Sequence, residues 1–535
     1  MAGRLAVDFG TSNTVLAVWN PEKKEGVPLH LAELGRELTY RRADQALETI
    51  SIIPSVIHYA TGDRKWVGNQ VFQHHLYDSG RTFRWMKRYI SRRSPNKIRV
   101  ADREISPGDA ACDFLSAVLA LAAAEIHLRE EEVAFTVPVE SFEHYENWLR
   151  QAAEASGVQR FRVIDEPSAA ALGYGVPIQP GDVYLIFDFG GGTLDVALVL
   201  IEAIADETAG RRCRVLGKAG SDIGGATIDG WLFAEILRQN GGIDADEAIR
   251  PLSRLLLSEC ERAKELLSLH EEAAVQVSHP QTGAVIKGTL TRGKLEEIFD
   301  ANSALTQIDR TIRRALTAAR ERGYDEDNVK SVLLVGGSSL IPAVQRTVQR
   351  IFGRERVRLQ RPLDAVARGA AAFVAGVDFY DHILHDYAIR SVIPQKGDYE
   401  YRRIVSRGTP YPTREPVASI TVKASHDGQT QLGLAIFELG DKGARTDRLG
   451  VELVFDPQGS ARLRNLSPEE EERSYYFWIN EHNPTFLTAD PPARKGEPRF
   501  EVAFGIDANK RLLITVQDLI TKDLVFRNHP VVQLI

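Results

Sequence analysis

Two stretches of this sequence set an acid, a run of small residues and a hydroxyl inside an apolar strand: VDFGTSNTVLAVW over residues 7–19 and FDFGGGTLDVALV over residues 187–199. A tight turn of Gly, Ser and Thr lets backbone N–H groups approach an anion, because no bulky side chain stands in the way. Asp8 and Asp188 each precede such a turn, where a carboxylate can hold a magnesium ion directly or through water. Thr11, Ser12 and Thr193 follow with hydroxyls suited to phosphate oxygens or an attacking water. A single hairpin of this kind is most simply an ordinary turn. Two with matched acids point to one hairpin per lobe, clasping the phosphates of one nucleotide from opposite sides.

Other nucleotide chemistries fit less well. The chain has no GxxxxGK[ST] loop, so it is not a P-loop nucleotidase. DFG occurs twice, but the catalytic loop and Gly-rich lid of protein kinases are absent.

The elements that must position these hairpins alternate strand and helix over about the first 376 residues. Apolar runs such as EVAFTV, FRVID, VYLIFDF and SVLLVGG each lead into a helical pattern, which argues an α/β architecture. SFEHYENWLRQAAEASG and PLSRLLLSECERAKELLSL carry apolar residues at three- and four-residue spacing and predict amphipathic helices. From about residue 387 the texture changes to alternating strands (SITVKA, LGLAIFEL, VELVF, RFEVAFGI, RLLITV) separated by turn residues, an all-β module. Residues 377–386 form a short acidic and apolar linker between the two.

At 535 residues the chain exceeds one ordinary core, so several domains are expected. A net charge of −7 gives nucleic acid or an anionic membrane no field to exploit, and neither is expected as a partner. The local basic cluster of Arg81, Arg84, Lys87, Arg88, Arg92 and Arg93 reads as a solvated helix face. Three scattered cysteines form neither a disulfide framework nor a metal-ligand spacing. DFLSAVLALAAAEIHL is too short and too often interrupted by polar residues to span a bilayer. With no basic-then-apolar leader at the start, the expectation is a cytoplasmic protein.

In VDFGTSNTVLAV, MKRYI, IDEPSAAALGYG, FDFGGGTLDVAL, IGGATID, CERAKELLS, LVGGSSLIPAVQ and DAVARGAA the chain resembles the heat-shock protein 70 family of DnaK-type chaperones. The similarity continues into the β module at RGTPYPTR and GEPRFEVAFGIDANKRLLI. The resemblance implies an α/β actin-like ATPase, a two-lobed and duplicated ribonuclease-H-like fold, over residues 1–376. An interdomain linker over 377–386 and a peptide-binding β sandwich over 387–535 would follow. It implies ATP hydrolysis to ADP and phosphate, with Mg2+ as cofactor and K+ as a further candidate. Implied partners are unfolded or extended polypeptide segments, a J-domain co-chaperone and a nucleotide exchange factor.

The same resemblance assigns roles. Lys87 would reach the γ-phosphate, Glu166 would stand beside the nucleophilic water as a general base, and Asp8, Asp188 and Thr193 would complete the catalytic set. Asp8 and Asp188 would hold the metal, with Asp195 in support. Gly10, Thr11, Ser12 and Asn13 would form the first nucleotide turn, and Gly190, Gly191 and Gly192 the second. Gly224 and Gly225, Glu261, Lys264 and Ser268 on one helix face, Gly336, Gly337 and Ser338, and Asp364 would complete the nucleotide site. The spacing of Glu261, Lys264 and Ser268 is equally that of a salt-bridged surface helix.

Three positions depart from the family pattern. Leu340 stands where an Arg packs on adenine, Ala226 replaces an acid, and Glu146 replaces an Arg that relays between domains. Ile383 and Leu384 keep the apolar character of the linker, and Leu432 and Leu434 are candidates for the peptide pocket or for the core. The sequence stops near the end of the sandwich, where the family adds a helical lid, so the expectation is either a lidless form or a shortened chain. The alternatives are a nucleotide-binding scaffold or co-chaperone that cycles little, and a small-molecule kinase or filament-forming ATPase of the same fold.

Overall fold

The computed structural model describes residues 4–41, 47–62, 64–128, 131–138, 143–175, 179, 181–202, 212–241, 250–278, 283, 285–376, 379–380, 383, 385–392, 399–409, 411, 413, 415–439, 451–455, 458, 460–465, 476–481, 484–507 and 511–534. The chain divides into two compact units. The first comprises Met1–Val139, Trp148–Tyr380 and Gly443–Ser467, and the second comprises Glu140–Asn147, Asp381–Lys442 and Pro468–Ile535.

The first unit is built on two sheets of matching topology. In one, the hairpin Leu5–Phe9 and Asn13–Asn20 is extended by Val133–Val137, parallel to Leu5–Phe9, and then by Phe161–Asp165. In the other, the hairpin Val183–Phe189 and Leu194–Glu202 is extended by the parallel strands Val329–Val335 and Val357–Arg358. Each hairpin's first strand is thus central and covered on both faces. That is why VYLIFDF reads as an unbroken apolar run rather than an alternating one.

Two short Ala-rich helices, Glu166–Gly173 and Ala365–Val374, cross where the sheets meet, and one core unites them with residues of both sheets. The crossing is backbone on backbone. A Cβ on Gly369 would lie 1.7 Å from the Ala169 carbonyl oxygen, and one on Gly173 would lie 1.9 Å from that of Ala365. Helix Ser253–Leu269 covers the hairpin Glu272–Ser278 and Val285–Thr291, and it also meets helix Gly225–Gln239. VELVF, read from sequence as a strand of the β module, pairs as Val451–Phe455 with Ala461–Asn465 alone. This hairpin falls within the first unit, where the Ala461 N–H donates to Ser253 Oγ at 3.1 Å and Arg250 bonds Gln458 at 2.9 Å.

The second unit is all-β. One sheet runs Tyr399–Val405, Asp386–Val392, Ile436–Leu439, Tyr476–Trp478, and another runs Ala418–Lys423, Pro498–Ile506, Arg511–Asp518, Leu524–Gln533. Alternation sends Phe500, Val502, Phe504 and Ile506, and Leu512, Ile514 and Val516, into a shared core. Leu432 and Leu434 belong to that core, which favours the packing role over an open pocket.

Ile383 belongs to it too. It is 1% exposed, its N–H bonds the Thr409 carbonyl at 3.0 Å, and its carbonyl accepts from Gly408 N–H at 2.7 Å. Leu384 lies outside the described residues. Ile383→Asp would bury a charge in an apolar core, so we expect it to destabilise the second unit by about 3 kcal/mol or more. Thermal denaturation checks this, and an unchanged midpoint would remove Ile383 from the core.

Asp518 points inward from the same sheet and is met by Arg499, whose Nε and Nη2 reach Oδ2 at 3.0 and 2.8 Å. Burial works to raise this carboxyl, but the Ile520 and Thr521 N–H groups and Arg499 hold it below its ordinary value of 3.8. A lowered native value contributes stability that is present above the unfolded value and lost as pH falls through the native one. The second unit should therefore weaken on acidification below about pH 4, and Asp518→Asn should flatten that limb. Denaturation across this range in both proteins is the check, with equal acid slopes as the contrary result.

Candidate nucleotide site

The two glycine turns face each other at contact distance. A Cβ on Gly192 would lie 2.3 Å from Thr11 Oγ1, and one on Gly191 would lie 2.6 Å from Ser12 Oγ. A side chain at either glycine would have to displace these hydroxyls, so the glycine run serves the meeting of the turns as well as their curvature. A third wall comes from Gly336, Gly337 and Ser338 after strand Val329–Val335. The Ser338 hydroxyl donates to the Gly190 carbonyl at 2.9 Å, and a Cβ on Gly336 would lie 2.7 Å from Asp188 Oδ1.

Gly224 and Gly225 close the far side at the start of helix Gly225–Gln239. They pack closely on the second turn: a Cβ on Gly224 would lie 2.4 Å from the Gly192 carbonyl carbon, Gly225 N–H bonds the Gly190 carbonyl at 3.0 Å and Ala226 N–H bonds that of Gly191 at 2.8 Å. Gly10, Thr11 and Ser12 form the first turn, and Asn13 opens the following strand. Gly190 N–H closes the second turn on the Thr193 carbonyl at 3.0 Å.

Beneath the turns lies a group of acids. Asp8 accepts from the Thr136 hydroxyl at 2.7 Å, Asp188 stands opposite Asp195 in the second hairpin, and Glu166 opens helix Glu166–Gly173. Lys87 Nζ bonds Glu166 Oε1, with both residues buried. Burial and the nearby Glu166 push Asp8 up to about 6, against the opposing pull of Lys87 and Thr136. Burial, then Glu166, Asp195 and Asp8, push Asp188 well above the usual carboxylate range.

Such a set gains from a hard divalent cation. Among the described residues no three His, Cys, Asp or Glu side chains converge as a cage. Magnesium takes one or two carboxylates and leaves its remaining positions to phosphates and water. Asp8 and Asp188 are the residues that would hold it.

The adenosine candidates share helix Ser253–Leu269. Glu261 accepts from the Tyr77 hydroxyl at 2.6 Å and lies 3.6 Å from Arg84 Nη1. Lys264 reaches both oxygens of Asp229, at 2.8 and 2.9 Å. Burial pulls the Lys264 ammonium down, but Asp229 and Glu261 more than offset it and hold it above its usual range. Ser268 lies one turn further along, half-buried. The Asp364 carboxylate pairs with Arg368, which also donates to the Gly26 carbonyl at 3.0 Å. Leu340 ends the turn Gly337–Leu340, and Ala226 is buried where the family pattern has an acid.

The basic cluster is not a solvated face. Arg84, Lys87 and Arg88 are buried. Arg84 donates to Ser258 Oγ at 3.0 Å, Arg88 to Thr227 Oγ1 at 2.7 Å and Arg92 to Asp222 Oδ2 at 2.8 Å. Buried cations require such partners. These partners lie 130–174 residues away in sequence, so no local pattern could signal them.

Paired sheets whose Asp–Gly hairpins face each other, followed by a β sandwich, define an actin-like ATPase fold joined to an all-β module. The chain belongs to the Hsp70 family: the model of that family, described as Hsp70 protein, matches residues 5–448. It is also 27% identical to a chaperone protein DnaK of Deinococcus deserti, over 97% of this chain and 77% of that protein. Among the described residues no helix is long and apolar enough to cross a membrane.

Proposed function

We propose that this protein is an ATP-dependent chaperone that binds extended apolar segments of unfolded polypeptides in its β sandwich, with ATP hydrolysis controlling their exchange. Residues 1–376 would hydrolyse ATP and residues 387–535 would bind peptide. The observation that carries this reading is the buried Lys87–Glu166 pair at the base of two facing glycine turns.

Phosphoryl transfer demands mainly positioning and neutralisation of charge, and these residues supply both. The turn backbones and the Thr11, Ser12 and Thr193 hydroxyls orient the phosphates, and the glycines keep side chains out of their path. Magnesium, when bound by Asp8 and Asp188, neutralises charge on the phosphate oxygens. Lys87, held against Glu166, offers its ammonium to the γ-phosphate. Glu166 accepts the proton of the water that attacks phosphorus. The buried floor limits competing water.

The test is magnesium-dependent ATP turnover by the full chain, with and without an unfolded apolar peptide. Stimulation by peptide supports the chaperone. Turnover indifferent to peptide contradicts it, and tight nucleotide binding without turnover favours the scaffold.

A further inference from the structure

Glu166 owes its place to the residue before it. Asp165 ends strand Phe161–Asp165 of the first sheet, and its Oδ1 accepts from the Ser168 N–H at 2.9 Å, capping helix Glu166–Gly173. Its other oxygen, Oδ2, accepts from Lys218 Nζ at 2.6 Å. Lys218 stands on Arg212–Ser221, a strand of the second sheet. The helix start that bears Glu166 is therefore held by a cation from the opposite lobe.

Capping alone does not call for this arrangement. Asn caps a helix as well as Asp does, without a charge to bury. Here both members of the pair are buried, with side chains 6% and 1% exposed. Desolvation often cancels the attraction in such a pair, so stability alone is a weak reason for it.

Strand register shows what the pair connects. Lys218 lies opposite Ala197 and Gly220 lies opposite Asp195, so Lys218 and Asp195 share one face of the second sheet. Asp195 in turn stands opposite Asp188, directly before the second glycine turn. One strand pair thus sets both that turn and the ammonium that grips Asp165.

We propose that Lys218 is a positioning residue for ATP hydrolysis: through Asp165 it keeps Glu166 in register with the second phosphate turn. The inference rests on the proposed ATPase activity and adds a residue outside the nucleotide-contacting set.

The test uses the full chain in single-turnover hydrolysis, with nucleotide affinity and thermal stability measured in parallel. Asp165→Asn with Lys218→Met keeps the cap, removes both charges of this pair and cuts the link between the lobes. This variant should fold with a near-native midpoint and bind ATP within about twofold of wild type, yet hydrolyse it about tenfold more slowly. Asp165→Asn with Lys218→Gln restores a neutral hydrogen bond across the gap and should recover most of the rate, as should Lys218→Arg alone. Wild-type hydrolysis by the Asn–Met variant would overturn the inference while leaving the ATPase reading intact. A rate loss matched by lost affinity, or no recovery in either bonded variant, would also overturn it. Absence of turnover in the wild type would overturn both.

Discussion

Lys87→Ala should lower single-turnover ATP hydrolysis by about 10²-fold or more, while nucleotide affinity changes little. The ammonium is buried and bonded to Glu166, and it opposes the mutual repulsion of Asp8, Glu166 and Asp188. Without it the proton acceptor loses its orienting partner and the γ-phosphate loses a cation that would strengthen its hold as charge develops. In the proposed site affinity would draw instead on the glycine turns and the wall at Ser338, which the substitution leaves untouched. Rapid-quench hydrolysis and equilibrium titration of the same variant separate the two quantities. Surviving hydrolysis would remove Lys87 from the chemistry, and affinity falling in step with the rate would make it a binding group.

Gly369→Ala should be the most damaging single methyl in the first unit. The added carbon would lie 1.7 Å from the Ala169 carbonyl oxygen and 2.8 Å from the Gly173 amide nitrogen. These are backbone atoms of the crossing helix, so no side chain can rotate aside. The helices Glu166–Gly173 and Ala365–Val374 would have to separate, at about 3 kcal/mol. Because one of them begins at Glu166, hydrolysis should fall even in the fraction that stays folded. Gly293→Ala is the control: it lies in helix Arg292–Ala301, where the nearest atom to the new carbon would be 3.8 Å away, and helix propensity favours alanine there. Equal melting temperatures for the two variants would contradict the crossing described above.

The hairpins, the apolar central strands and the change to an all-β module were legible in sequence because each is written locally. Strand length, glycine runs and alternation carry the signal in adjacent residues. VYLIFDF and FGGGT are enough to place Asp188 before a turn, and EPS is enough to start a helix at Glu166. What stayed hidden depends on partners far along the chain. Arg88 reads as one more surface cation until Thr227 meets it, and Lys218 is a lone lysine in a strand until Asp165 arrives from the other sheet. Ile383 reads as an apolar linker residue until Thr409 and Gly408 bond its backbone and the sandwich core takes its side chain. In each case a tertiary partner decides between solvent, core and site, and sequence spacing carries no trace of it.

In the proposed function, nucleotide at the two-turn clamp governs peptide held by the β sandwich. Fluorescence anisotropy of a labelled unfolded apolar peptide, released from the full chain in ATP and in ADP, measures that coupling. Release should be faster in ATP, with the difference lost when Lys87→Ala protein is compared before and after an incubation that turns over wild-type ATP. Equal release rates in ATP and ADP for the wild type would contradict it.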